Sequence, residues 1–101
     1  MVRAEQDLLD EMRDLYRRWK DDYRYTANRF LQKLNRDGAV KAATELILKP
    51  GRSKGFMELQ SRGLLSLTVE ALILKYEFRS LFTLEVAAAA SRRLREARYS
   101  K

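Results

Sequence analysis

Arg92, Arg93, Arg95 and Arg98 crowd the end of the sequence, with only Glu96 as an acid among them. Arg29, Lys33 and Arg36 recur at i, i+4 and i+7 with no acid before Asp37, a spacing that places all three on one face of a helix. Clustered guanidinium and ammonium groups neutralise phosphate, which gives salt-dependent affinity with little reading of base sequence. These residues are the candidate nucleic-acid contacts, and Tyr99 beside them can stack on a base. The plainer reading competes at each position. Cations in the last turns of a helix complement its dipole, and most basic stripes are solvated faces.

Other chemistry is sparse. The chain has no His and no Cys, which rules out imidazole or thiolate metal ligands, an imidazole base, a thiol nucleophile and a disulfide framework. No spaced carboxylate pair sits on an apolar face, so no catalytic residue, metal or cofactor is expected and the chain does not read as an enzyme. Glu70 is the one acid inside the apolar centre. A buried Glu can serve as a base, but it more often pairs with an Arg, and Arg79 is the expected partner. The loop Pro50-Gly51-Arg52-Ser53-Lys54 is no Walker motif, because no Gly-Lys-Ser/Thr follows a strand. A basic loop at a helix N-terminus can still hold one phosphate.

The net charge of +7 over 101 residues is unevenly spread. Residues 1–25 carry six basic and seven acidic side chains, residues 26–63 eight against three, and residues 64–101 seven against four. The excess lies in the body and the last helix, and such an excess attracts polyanions, nucleic acid above all. No apolar run approaches the roughly 20 residues that span a bilayer. The N-terminal residues have an acidic helix start in place of a signal peptide's apolar core. A cytoplasmic protein without membrane contact is expected.

The elements that must position these cations read as helices throughout. One Pro and four Gly leave few breaks, and Ala, Leu, Arg, Lys and Glu dominate, a mixture that favours helix. The expectation is an all-α fold, a compact bundle of about five to six helices in a single domain over 1–101. A long amphipathic N-terminal helix runs over residues 4–24, its stripe Leu8, Met12, Leu15, Trp19 and Tyr23. A second helix covers 25–37, capped by Thr26, with Ala27, Phe30, Leu31 and Leu34 inward. Asp37-Gly38 turns the chain into a third helix, 39–49, burying Val40, Ala43, Leu46 and Ile47. Ser53 caps a short helix, Lys54–Arg62, with Phe56, Met57 and Leu59 inward. Residues 63–83 are the densest apolar stretch and the expected floor for the rest. Ser66 or Thr68 caps a short buried helix at Val69–Lys75, and a turn with aromatic anchors follows at 77–82. Thr83 caps the last helix, 84–98, which buries Val86, Ala90, Leu94 and Ala97.

The residues Tyr25, Ala27, Phe30 and Leu31, then Gly38, then Gly55, Phe56, Leu59 and Gly63 form a pattern with Leu67 to Leu72 (Leu-Thr-Val-Glu-Ala-Leu) and Leu81 to Thr83 (Leu-Phe-Thr). This pattern resembles a family of small uncharacterised bacterial helical domains, and the likeness covers nearly the whole chain. The chain departs from it at Tyr76, where a Pro usually stands, and at Leu59-Gln60-Ser61, where a Trp is expected. The resemblance implies no activity; it implies a domain that occurs alone or beside nucleases of restriction and phage-defence systems. The expected function is therefore a small basic nucleic-acid-binding or accessory protein that contacts the phosphate backbone of DNA or RNA, as a subunit of a defence or nucleic-acid-processing complex. The alternative is a protein–protein interaction module, an adaptor or a homodimer through the N-terminal helix. The 4-3-4 spacing of Leu8, Met12, Leu15, Trp19 and Tyr23 is also that of a short coiled coil, with Trp19, Tyr16 and Tyr23 as anchors.

Overall fold

An apolar side chain at every third or fourth position makes the leading helix, and the same spacing decides what that helix buries. The computed structural model describes residues 3–51 and 53–99, and the side chains of all of these but Tyr99. Its helices are α1 (Arg3–Tyr23), α2 (Asn28–Asp37), α3 (Ala39–Leu48), α4 (Lys54–Ser61), α5 (Val69–Ile73), α6 (Tyr76–Arg79) and α7 (Leu84–Tyr99), with one 3₁₀ turn at Leu65–Leu67. The described chain is 80% helical and contains no strand. The radius of gyration is 12.7 Å, close to the roughly 13 Å of a compact chain this long.

Leu8 and Met12 have no exposed surface, and Leu15 and Trp19 are buried. Burying each such side chain contributes about 1.5–3 kcal/mol. The Trp19 indole N–H donates to the Leu67 carbonyl at 2.9 Å, tying α1 to the 3₁₀ turn. The stripe is thus occupied by the molecule's own core. This corrects the reading of Leu8, Met12, Leu15 and Trp19 as a dimer seam; Tyr23 alone of that set is half-buried.

Helix α1 ends where Arg24 adopts a left-handed φ of 56° and the Tyr25 N–H donates to the Trp19 carbonyl at 2.8 Å. Residues 24–27 are consequently irregular, and α2 starts at Asn28 with Ala27 as an N-cap that offers no side-chain bond. Thr26 is not the cap. Gly38 (φ 86°, ψ 171°) closes α2 and opens α3; this region of backbone space is essentially open to glycine alone. The resulting hairpin lays α3 between α1, α2, α5 and α7. The 63–83 stretch shares the role of floor with α3, its elements meeting α1, α3, α4 and α7. Its members Val69, Leu72, Ile73 and Phe78 are buried, and α3 joins α1 and α2 to α5 and α7.

Helix α3 can hold that place because Ala39, Ala42 and Ala43 let neighbouring backbones approach, with Ile47 filling the lower end. Val40 and Leu46 are only half-buried. Thr68, rather than Ser66, caps α5 by accepting the Ala71 N–H at 3.1 Å. The turn expected at 77–82 contains the one-turn helix α6, anchored by buried Phe78. Met57, expected inward, is half exposed, because α4 is held by Phe56 and Leu59 alone.

Candidate nucleic-acid interface

Helix α7 begins where the Thr83 hydroxyl accepts the Val86 N–H at 3.2 Å. Its buried side, Val86, Ala89, Ala90, Leu94 and Ala97, leaves Arg92, Arg95 and Arg98 on the solvent side. Arg92 lies 3.9 Å from Glu96, at the limit of an ion pair. Arg95 and Arg98 make no hydrogen bond or ion pair to any described residue. The stacking role given to Tyr99 lies outside the described side chains.

Arg93 points the other way. It is 12% exposed and donates to the Leu46 carbonyl at 3.2 Å, to Glu70 Oε2 at 3.2 Å, to the Gly51 carbonyl at 2.7 Å and to the Lys49 carbonyl. The last carbonyls of a helix have no partner within it, so Arg93 satisfies the end of α3 and the loop beyond. It also neutralises Glu70, which is 1% exposed. Burial pushes the Glu70 carboxyl above its ordinary range, opposed by a backbone hydrogen bond and by Arg93. Arg93 is therefore a structural clamp and is corrected from a phosphate contact. The expected partner Arg79 instead donates to the Leu74 carbonyl.

The α2 cations divide in the same way. Lys33 pairs with Glu45 of α3 and with Asp37 at 3.5 Å. Its hydrogen bond to Glu45 holds the ammonium above its ordinary pKa. Arg36 pairs with Asp37 at 3.1 Å, and that bond lowers the Asp37 carboxyl below its usual range. Lys33 and Arg36 thus each carry a carboxylate partner, with the Arg36 side chain still 69% exposed. Arg29 is exposed and has no partner among the described residues. The seven cations are carried by two helices that meet the core separately, α2 packing on α1 and α3 and α7 on α3 and α5.

A cleft gathers a different set. It has a volume of about 850 Å³ and lies between the start of α2, the lower half of α3 with its following loop, and the first turns of α4. Its lining includes Arg29 and Lys33 of α2, Lys49 after α3 and Lys54 of α4, together with the buried Trp19, Thr68 and Glu70. Glu45 and Glu70 are the acids of the cleft, and each already faces a cation. Arg29, Lys49 and Lys54 have no such partner among the described residues.

Half-buried Phe30 and Tyr25 line the cleft as well. The Phe30 ring packs 5.1 Å from Trp19 and the Tyr25 ring 6.0 Å from it. A Cβ on Gly55 would stand 3.0 Å from the Tyr25 hydroxyl, so glycine is what lets that hydroxyl reach α4. Burial raises the Tyr25 phenol, with Glu58 adding to the effect and Arg62 opposing it; the group is a neutral O–H.

The loop at 50–54 was legible as a phosphate candidate, although Arg52 lies outside the described residues. Lys49, Tyr25 and Phe30 were missed as site residues. The one local signal for Lys49 is the Pro that follows it, which forces the extended backbone (φ −63°, ψ 133°) that ends α3. Among the described residues no helix is long and apolar enough to cross a membrane. Comparison of the chain with protein-family models, curated proteins and solved structures returned no match.

Proposed function

We propose that this chain binds nucleic acid through its phosphates, as a small accessory protein of a nucleic-acid-processing or defence complex. The observation that supports the reading is that, among the cations left without a carboxylate, Arg29, Lys49 and Lys54 gather around one cleft and Arg95 and Arg98 lie on the outer side of α7. Lys33, Arg36 and Arg93 carry carboxylate partners of their own, and the excess positive charge persists where pairing does not reach. The accessory role is the part of the proposal suggested by the resemblance to domains that occur alone or beside restriction and phage-defence nucleases.

The test is binding to single-stranded and duplex DNA and to RNA at two salt concentrations. Affinity falls as salt rises, because each neutralised phosphate releases counterions. Arg29→Ala, Arg95→Ala and Arg98→Ala each flatten the salt slope by about 1, while Lys33→Ala and Arg36→Ala leave it nearly unchanged. No binding at low salt, where charge attraction is strongest, ends the proposal.

A protein-partner surface is the second reading, and a different observation favours it. Tyr76 is 93% exposed and Leu84 90% exposed, both large side chains that the core does not use. Self-association through them gives a sedimentation coefficient that rises with concentration and returns to a constant value in Tyr76→Ser/Leu84→Ser.

A further inference from the structure

We infer that the cleft takes an unstacked base of single-stranded nucleic acid, with the flanking phosphates on the cations that line it. This rests on the phosphate-binding reading above and names the form of nucleic acid that the site would accept. A recess of about 850 Å³ is of the size that holds one small organic ligand, within about 300–1,000 Å³. A base with its sugar enters such a space, and a rod as thick as a duplex does not.

The lining suits that occupant. Cations from three separate segments, Arg29, Lys49 and Lys54, line the cleft, and a strand entering it would bring its phosphates to them. With them lie the aromatic side chains Phe30 and Tyr25, half-buried and so partly open to the recess. Every base offers a π-face, so stacking on such rings binds single strands with little sequence preference. The neutral Tyr25 hydroxyl adds one hydrogen-bonding group beside α4. A duplex keeps its base faces stacked inside and could use only the cations. Arg95 and Arg98 remain outside the cleft, so they discriminate between general phosphate attraction and occupation of this site.

The experiment titrates the intact chain with short oligothymidylate, oligouridylate and a DNA duplex of equal length, following affinity and the emission of Trp19. Trp19 is the one Trp in the chain and packs behind Phe30, so a base in the cleft alters its emission. Single strands bind about tenfold or more tightly than duplex. Phe30→Leu lowers single-strand affinity by about tenfold, leaves duplex affinity unchanged and diminishes the Trp19 response. Should Phe30→Leu unfold, Lys49→Glu/Lys54→Glu carries the test, since both side chains are exposed. It abolishes the Trp19 response, whereas Arg95→Ala/Arg98→Ala preserves it. Equal affinity for duplex and single strand, or a silent Trp19 on saturation, overturns the inference while the phosphate-binding proposal survives. Absence of all binding at low salt removes both.

Discussion

Arg93→Ala costs about 3–5 kcal/mol of folding stability, the scale of breaking a buried ion pair from one side, whereas Arg95→Ala two positions away changes it by less than about 0.5 kcal/mol. The two residues look alike in the sequence. Arg93, however, is 12% exposed and engages Glu70 together with three main-chain carbonyls. Its removal leaves a carboxylate stranded at 1% exposure and strips the lower end of α3 of its donors. Lysine at this position keeps a charge but cannot span the same acceptors, because a compact ammonium lacks the planar fork of guanidinium; it recovers part of the loss. Chemical denaturation measures both variants. An Arg93→Ala midpoint indistinguishable from that of Arg95→Ala would show that the clamp contributes nothing.

The carboxyl end of that clamp has a pH signature. Burial raises the Glu70 pKa above its ordinary 4.5. Between that value and the raised folded value, the folded chain holds a proton that the unfolded chain has released. Stability therefore falls as pH rises through that window. Glu70→Gln removes this component, so the stability difference, wild type minus Glu70→Gln, declines with rising pH above 4.5. Asp37 acts in the opposite sense: Arg36 lowers its pKa, and its contribution is lost as pH falls below the ordinary carboxylate range. Thermal unfolding of the two chains over a pH series separates these effects, and parallel curves would refute the assignment to Glu70.

Trp19→Ala and Met12→Ala each destabilise the fold strongly, by about 3–5 and 2–5 kcal/mol respectively. Met12 has no exposed surface and Trp19 only 4%. Trp19 also supplies the donor for the Leu67 carbonyl and the backing for Phe30 and Tyr25. For a chain of this size each kcal/mol shifts Tm by about 4–8 °C, so the expected loss is about 12–40 °C for Trp19→Ala and about 8–40 °C for Met12→Ala. The competing idea of an intermolecular seam makes the contrary forecast: the variants would lower self-association and leave the melting of the monomer unaffected. Calorimetry combined with sedimentation on the same samples decides between them.

Much of the architecture was legible residue by residue. The α1 stripe, the Ser53, Thr68 and Thr83 caps and the buried face of α7 rest on local physics: which side chains fall three or four apart, and which oxygen can reach an N–H nearby. Positions were misjudged where a longer-range contact intervened. Thr26 was a reasonable cap until the left-handed Arg24 and the Tyr25–Trp19 bond moved the start of α2. Met57 fitted the inward side of α4 by period, yet no element covers it. The alanines of α3 carry little hydrophobic signal, so nothing in their local pattern marked that helix as one that meets four others.

The candidate site shows the same division more sharply. Composition and spacing by themselves determined that His and Cys chemistry is absent, that the chain is helical and that cations exceed acids away from its leading helix. Which cations remain unneutralised was decided only in three dimensions. Arg93 finds Glu70 across 23 positions and Lys33 finds Glu45 across 12, while Arg29, Lys49 and Lys54 reach one cleft from three separate segments. Helical periodicity is a property of neighbours along the chain. Ion pairing and exposure depend on which face meets which other element, and that follows from how α3 is packed between its neighbours.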